Sequence, residues 1–170
     1  MAIGAAIEAT LDAALHLRPK SMIAVVCLLA LAALMIGAVL SDLRRRRIPN
    51  RLCLAIAILA LPYWLATDPT FLRLAIQILC AAVVAMTLMI PFYYRVLGGG
   101  DVKMMAALAL WLPPDRLYET ILMVAMGGGL LAIGIILFNR RSMSPTVPYG
   151  VAIAAAGLFQ VVARLKRLIP

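Results

Sequence analysis

Long apolar runs separated by short polar breaks organise this chain. From Met22 to Leu40 no charged residue occurs, and about 20 apolar residues are what a helix needs to cross the hydrocarbon core of a bilayer. Leu74 to Phe92 is a second full-length run, carrying Gln77. Leu52 to Ala66 is shorter and interrupted by Pro62. Met104 to Leu112 is too short to cross alone, so it must borrow length from the glycine run before it or enter only part-way. Ile121 to Phe138 and Val147 to Ala163 complete the set. The pattern predicts an all-α polytopic membrane protein, a bundle of about six transmembrane helices forming one domain over residues 21–170. Ahead of it, Ile3, Ile7, Leu11 and Leu15 recur every fourth position beside Glu8, Asp12 and His16. That spacing predicts an amphipathic helix within residues 1–20 lying on the membrane surface, with His16 as an interfacial polar residue.

The breaks are explicit. Ile48-Pro49-Asn50 ends a basic loop and offers Asn50 as a cap for the second helix. Asp68-Pro69-Thr70 and Pro113-Pro114-Asp115 read as tight turns, and Asn139 to Pro145 as a polar loop with Arg140 and Arg141. Gly127-Gly128-Gly129, Gly134, Gly150 and Gly157 fall in or beside the last two segments, where small residues let helix backbones approach closely.

Composition agrees with lipid as the solvent. Of 170 residues, 65% are hydrophobic and 14% charged, with a mean hydropathy of +1.05; soluble domains carry about 25% charged residues. The net charge of +9 does not imply nucleic acid, because the basic residues sit at the ends of apolar runs and sparse aromatics give bases no stacking platform. Cys27, Cys53 and Cys80 lie in apolar stretches without a Cys-x-x-Cys pair, so neither a disulfide framework nor a zinc site follows. No basic region precedes the first apolar run as a secretory signal would require. Arg44 to Arg47 with Arg51 form the densest basic cluster and, by the positive-inside rule, should face the cytoplasm. With about six crossings, Arg95, Lys103, Arg140 and Arg141 join them, giving nine basic residues inside. Arg18, Lys20, Arg73, Arg116, Arg164, Lys166 and Arg167 fall outside, and the tail cluster among them opposes the assignment.

Ionisable residues at a bilayer edge are costly, so each needs a reason. Asp42 follows the longest uncharged run, and Asp101 follows Gly98-Gly99-Gly100. Counting crossings puts both on one membrane face, although they are 59 positions apart. Two carboxyl groups held close cannot both ionise cheaply and come to share one proton. Such a pair hydrolyses peptides without metal or covalent nucleophile: one carboxylate deprotonates water while its protonated partner donates to the scissile carbonyl. Asp68 and Asp115 lie in turns on the opposite face, and Asp12 in the surface helix. Structural roles remain open at this point. Asp42 would also neutralise the neighbouring arginines, and Asp101 would also serve as an N-cap. The glycine run lacks the preceding strand and lysine spacing of a phosphate loop. Lys103, in the first helical turn, is placed for a contact, with an acidic substrate group or with Asp101 itself.

Three segments resemble the type IV prepilin peptidases: Ser41-Asp42-Leu43 with its basic run and Ile48-Pro49-Asn50; Gly98-Gly99-Gly100-Asp101-Val102-Lys103; and Val147-Pro148-Tyr149-Gly150-Val151-Ala152-Ile153-Ala154, which is similar to the last-helix segment of the short tight-adherence (Flp) branch. The resemblance implies an aspartic endopeptidase of the bacterial inner membrane that removes basic leaders from prepilins and pilin-like proteins at the cytoplasmic face. Asp42 and Asp101 would be its catalytic pair, with Gly98 and Gly100 letting the Asp101 loop close on the substrate. Lys103, Pro49, Asn50, Pro148, Tyr149 and Gly150 would support substrate binding. No cofactor or metal is implied, and the unpaired cysteines and short loops argue against the methyltransferase insertion of the long branch. Partners would be prepilin substrates and the lipid bilayer, with no nucleic acid. The competing readings are a non-catalytic membrane protein, such as a small transporter subunit or assembly factor, and an intramembrane protease that cuts within a helix.

Overall fold

The computed structural model describes residues 19–45, 47–67, 70–95, 97–138 and 149–168. Among them are six helices in the expected order: α1 Pro19–Arg45, α2 Asn50–Ala66, α3 Phe71–Tyr93, α4 Gly99–Ala109, α5 Pro114–Phe138 and α6 Tyr149–Leu168. Four, α1, α3, α5 and α6, contain segments long and apolar enough to cross a membrane. The chain is an all-α multi-pass membrane protein. Of the segment expected as a surface helix within residues 1–20, residues 1–18 are outside the described residues and Pro19 and Lys20 open α1; Asp68, Pro69 and the loop 139–145 with Arg140 and Arg141 are outside them as well.

The short helix α4 occupies the middle. Its 11 residues span about 16 Å at 1.5 Å per residue, roughly half the hydrocarbon thickness. Including two of the three glycines in the helix does not bring it to full length. It packs on α3, α2 and α6, while α1 packs on α6 and α2, and α5 on α6. The core is where these helices converge: Leu28, Leu31 and Met35 of α1, Ile56 and Ala60 of α2, Met104 and Leu108 of α4, and Ile153 and Ala154 of α6 are all essentially inaccessible. Large apolar residues of α3 and α5, such as Leu79, Met86, Ile90, Met126 and Leu130, point outward instead. Lipid accepts them as readily as a protein interior would, so they need no partner within the chain.

Two local expectations change. Pro62 does not interrupt α2, which runs on to Ala66. A proline removes one backbone hydrogen bond, but the turn that follows it is held from outside. Trp64 donates its indole N–H to the Leu110 carbonyl at 3.0 Å, and the Tyr63 ring lies against Trp111, with centroids 5.0 Å apart. Trp111, in turn, donates to the Ile56 carbonyl at 2.9 Å. The two indoles thus reach across the α2–α4 seam in opposite directions. Second, Pro114 and Asp115 belong to the first turn of α5 rather than to a turn alone; proline suits that position because its missing N–H has no helical partner there anyway.

The end of α3 sets up the site. Arg95 takes the left-handed conformation with φ 58°, its N–H donating to the Phe92 carbonyl at 2.9 Å and that of Leu97 to Pro91 at 3.3 Å. This closes the helix and turns the chain toward Gly98.

Because the Trp111 bond to Ile56 is buried, replacing Trp111 with Phe is expected to lower stability by about 1–2 kcal/mol. Chemical or thermal unfolding in detergent micelles measures it, with a Trp64→Phe chain as the companion.

Candidate active site

Asp42 lies near the end of α1 and is 7% exposed. Below it the chain turns tightly, with the Ser41 hydroxyl donating to the Arg47 carbonyl at 2.8 Å. Ile48 is buried beyond this turn and acts as a wedge. A Cβ added at Gly100 would stand 3.1 Å from the Ile48 Cβ, and one at Gly150 only 2.8 Å from its Cδ1. The same Gly150 Cβ would fall 2.7 Å from Asp42 Oδ2. The start of α4, the start of α6 and the end of α1 therefore meet around Ile48, and only missing side chains let them do so.

Asp101 occupies the third position of α4, and its carboxylate accepts from the Gly98 N–H at 3.2 Å. It is not the N-cap; Gly98 is, in extended conformation. An acid in the first turn also suits the positive end of the helix dipole. Gly98 and Gly100 have negative φ, and Gly99 and Gly100 are helical. What these glycines supply is space rather than unusual backbone: a Cβ at Gly98 would stand 2.9 Å from Asp101 Oδ2.

Burial, and then the charge of Asp42, push the Asp101 carboxyl up from 3.8 to about 6, against the lowering effect of the Gly98 hydrogen bond. The two acids are thus within electrostatic reach of each other. At neutral pH the site holds Asp101 far closer to protonation than an exposed aspartate.

Among the described residues Lys103 makes no ion pair, with Asp101 or with any other acid. It falls in the second turn of α4, and its ammonium donates to Asn50 Oδ1 at 3.0 Å. Asn50 is the first residue of α2, not its cap. Pro49 caps the helix with its carbonyl, which accepts from Leu52 N at 3.0 Å and Cys53 N at 3.4 Å. The Asn50 side chain is left to tie α2 to α4, and Cys53 adds a weak contact of 3.9 Å to the Gly100 carbonyl. Tyr149 lies with its ring against Gly128 of α5, where a Cβ would come within 2.6 Å. Pro148 is outside the described residues. Asp42, Asp101, Gly98, Gly100, Lys103, Pro49, Asn50 and Gly150 thus gather at one end of the bundle. Sequence reasoning gave Ile48 only as part of a motif; its signal was an apolar residue stranded in a basic loop.

Short central helix, two mutually influencing carboxyl groups and a glycine-lined seam define a polytopic membrane protein with an acidic site at one rim. The sequence profile of the type IV leader peptidase family matches residues 28–133, more than half the chain, and the chain belongs to that family. The matched region includes both aspartates, while the Pro148-Tyr149-Gly150 segment lies beyond it. Curated relatives include the prepilin leader peptidase/N-methyltransferases of Aeromonas hydrophila and Aeromonas salmonicida (strain A449). Each is 36% identical over 61 residues, which is 36% of this chain and 21% of the relative. The similarity therefore spans about a fifth of those proteins' length. No solved structure matches.

Glycine substitutions separate contact from lipid exposure. Gly150→Ala must displace the Asp42 carboxylate or α6 and is expected to destabilise by about 1–3 kcal/mol, as overpacking does. Gly134→Ala, where nothing lies within 4 Å, should stabilise by about 0.5–1 kcal/mol through helix propensity. Parallel unfolding in one detergent compares them.

Asp101 also predicts a pH dependence. Its folded pKa of about 6 exceeds the unfolded 3.8, so the folded chain binds the proton more tightly. Its contribution to stability is complete below 3.8, is lost as pH rises towards 6, and is flat beyond. Asp101→Asn should therefore raise the melting temperature at pH 7 and leave it little changed at pH 3.5.

Proposed function

We propose that this chain is an intramembrane aspartic endopeptidase that removes leader peptides from type IV, Flp-like prepilins at the cytoplasmic face of the bacterial inner membrane. The observation that carries the reading is the influence of Asp42's charge on a half-buried Asp101, taken with membership of the type IV leader peptidase family.

In this reading Asp101, whose carboxyl is pushed up to about 6 by burial and by the charge of Asp42, carries the shared hydrogen and donates it to the oxygen of the scissile carbonyl. Asp42, ionised, removes a proton from the attacking water. Attack gives a tetrahedral diol. Its collapse breaks the C–N bond while Asp42 returns a proton to the departing amine, and Asp101 regains its own from the diol. No metal takes part. Lys103 on Asn50 keeps α2 and α4 in register beneath the pair. The Arg44–Arg47 cluster suits anionic headgroups better than a basic leader and serves as the topology anchor.

The competing, non-catalytic reading makes Asp101 a helix cap, since its carboxylate does accept from Gly98. Asparagine separates the two roles. Its side-chain oxygen still accepts that hydrogen bond, but the side chain cannot exchange the catalytic proton. Asp42→Asn and Asp101→Asn should each lower leader cleavage of a co-expressed tagged prepilin by about 10²–10⁴-fold, with membrane insertion unchanged. Normal processing by either variant would end the assignment. In the wild type, cleavage should persist in chelator and decline on an alkaline limb as the shared proton is lost.

A further inference from the structure

A second polar site lies at the far end of the bundle. From Gly150, which touches Asp42, α6 continues 10 to 14 residues to Gln160 and Arg164, about 15–21 Å further along the helix. There a cavity of about 270 Å³ opens between the end of α2, the start of α5 and the last turns of α6. Tyr63, Asp115, Arg116, Gln160, Arg164 and Arg167 are among its lining residues.

The charges in this cavity are unevenly satisfied. Arg116 is paired, with Glu119 at 2.8 Å and Asp115 at 3.6 Å. Arg164 has no carboxylate partner among the described residues. It donates to the Tyr63 hydroxyl at 3.0 Å and lies 5.6 Å from the centre of that ring. Arg167 is exposed at the rim. Gln160 is only 3% exposed, and its Nε2 finds no hydrogen-bond partner. A buried amide left unsatisfied costs about 1–3 kcal/mol, and helices in lipid rarely keep one without a use. Two guanidinium groups without carboxylate partners among the described residues and an inward amide N–H all offer hydrogens, while the one carboxylate in the lining, Asp115, is engaged by Arg116. The missing group is an anion rich in acceptor oxygens. Guanidinium forks fit phosphate oxygens in particular.

We infer that this cavity is a phosphate-binding site, taking an anionic phospholipid headgroup from the leaflet opposite the Asp42–Asp101 pair. The location favours the lipid source. The cavity sits where the ends of α2 and α6 and the start of α5 meet the interface, and Arg167 at its rim continues the positive surface outward. A free phosphate ion offers the same oxygens and is the alternative source. The site is independent of any peptidase chemistry. It also gives the basic tail, which opposes the positive-inside count, a headgroup to bind on its own side of the membrane.

The chain carries its own reporters, since its only two tryptophans are Trp64 and Trp111, and the Tyr63 ring in the cavity wall stacks on Trp111. Full-length chain in phosphatidylcholine nanodiscs is titrated with phosphatidylglycerol. Tryptophan emission is read, and native mass spectrometry counts the lipids retained. Saturable binding of about one lipid is expected, weakened about tenfold in Arg164→Gln and in Gln160→Met, which removes the donor at nearly constant volume. Lys166→Gln, an exposed basic residue outside the cavity lining, should bind as the wild type does. If Gln160→Met fails to insert, the half-buried Arg164→Gln still decides. Binding unchanged in the cavity variants, or weakened equally by Lys166→Gln, would overturn the site in favour of diffuse surface charge. Millimolar inorganic phosphate distinguishes the sources: displacement of the lipid assigns the site to free phosphate, and no displacement assigns it to the headgroup.

Discussion

Two carboxyl groups that feel each other's charge at the rim of an apolar bundle are the constraint around which this molecule is arranged. Neither would be retained there for packing. Asp42 is nearly enclosed and Asp101 half-buried, and bringing them together raises the proton affinity of Asp101. Such an arrangement survives only where surrounding contacts fix it. Here they are the Ile48 wedge, the bare faces of Gly100 and Gly150 against it, and the Gly98 hydrogen bond. The destabilising pair is held by close approach, and close approach is bought with glycine.

The short helix α4 converts that local arrangement into a fixed one. Its head carries Asp101 and its far end is pinned to α2 by two indole hydrogen bonds. Near its head, Lys103 holds Asn50. A helix of 11 residues has little stability of its own. Its position comes from burial on three sides and from polar ties at both ends. The long helices, by contrast, turn large apolar faces outward and depend on lipid for their solvation.

Much of this was legible in the sequence because lipid imposes a coarse and strict code. Uncharged runs of the required length gave the helices, and the interruptions between them gave the connections. Asp42 and Asp101 stood out because acids at a membrane edge are expensive. Side-chain partnerships were harder to read. Asn50 beside a proline looked like a cap, yet its amide serves Lys103 across 53 positions, a pairing no local pattern encodes. Pro62 looked like an interruption of its segment, but the helix runs through it to Ala66, with Trp64 just beyond it tied to α4 by a tertiary hydrogen bond. The glycines near the end of the chain looked alike, although Gly150 faces a carboxylate, Gly128 an aromatic ring, and Gly129 and Gly134 nothing. Gln160 sat unnoticed in an apolar run, since burial without a partner is a property of three dimensions.

The bond between Lys103 and Asn50 has one more consequence. An amide carbonyl holds an ammonium group without cancelling it. Under the proposed chemistry the acidic pair with its one shared hydrogen carries a single negative charge, and Lys103 supplies a single positive one nearby. That positive charge stays in water, on an exposed side chain two residues past Asp101, so it marks the aqueous side of the rim without being taken up by the pair.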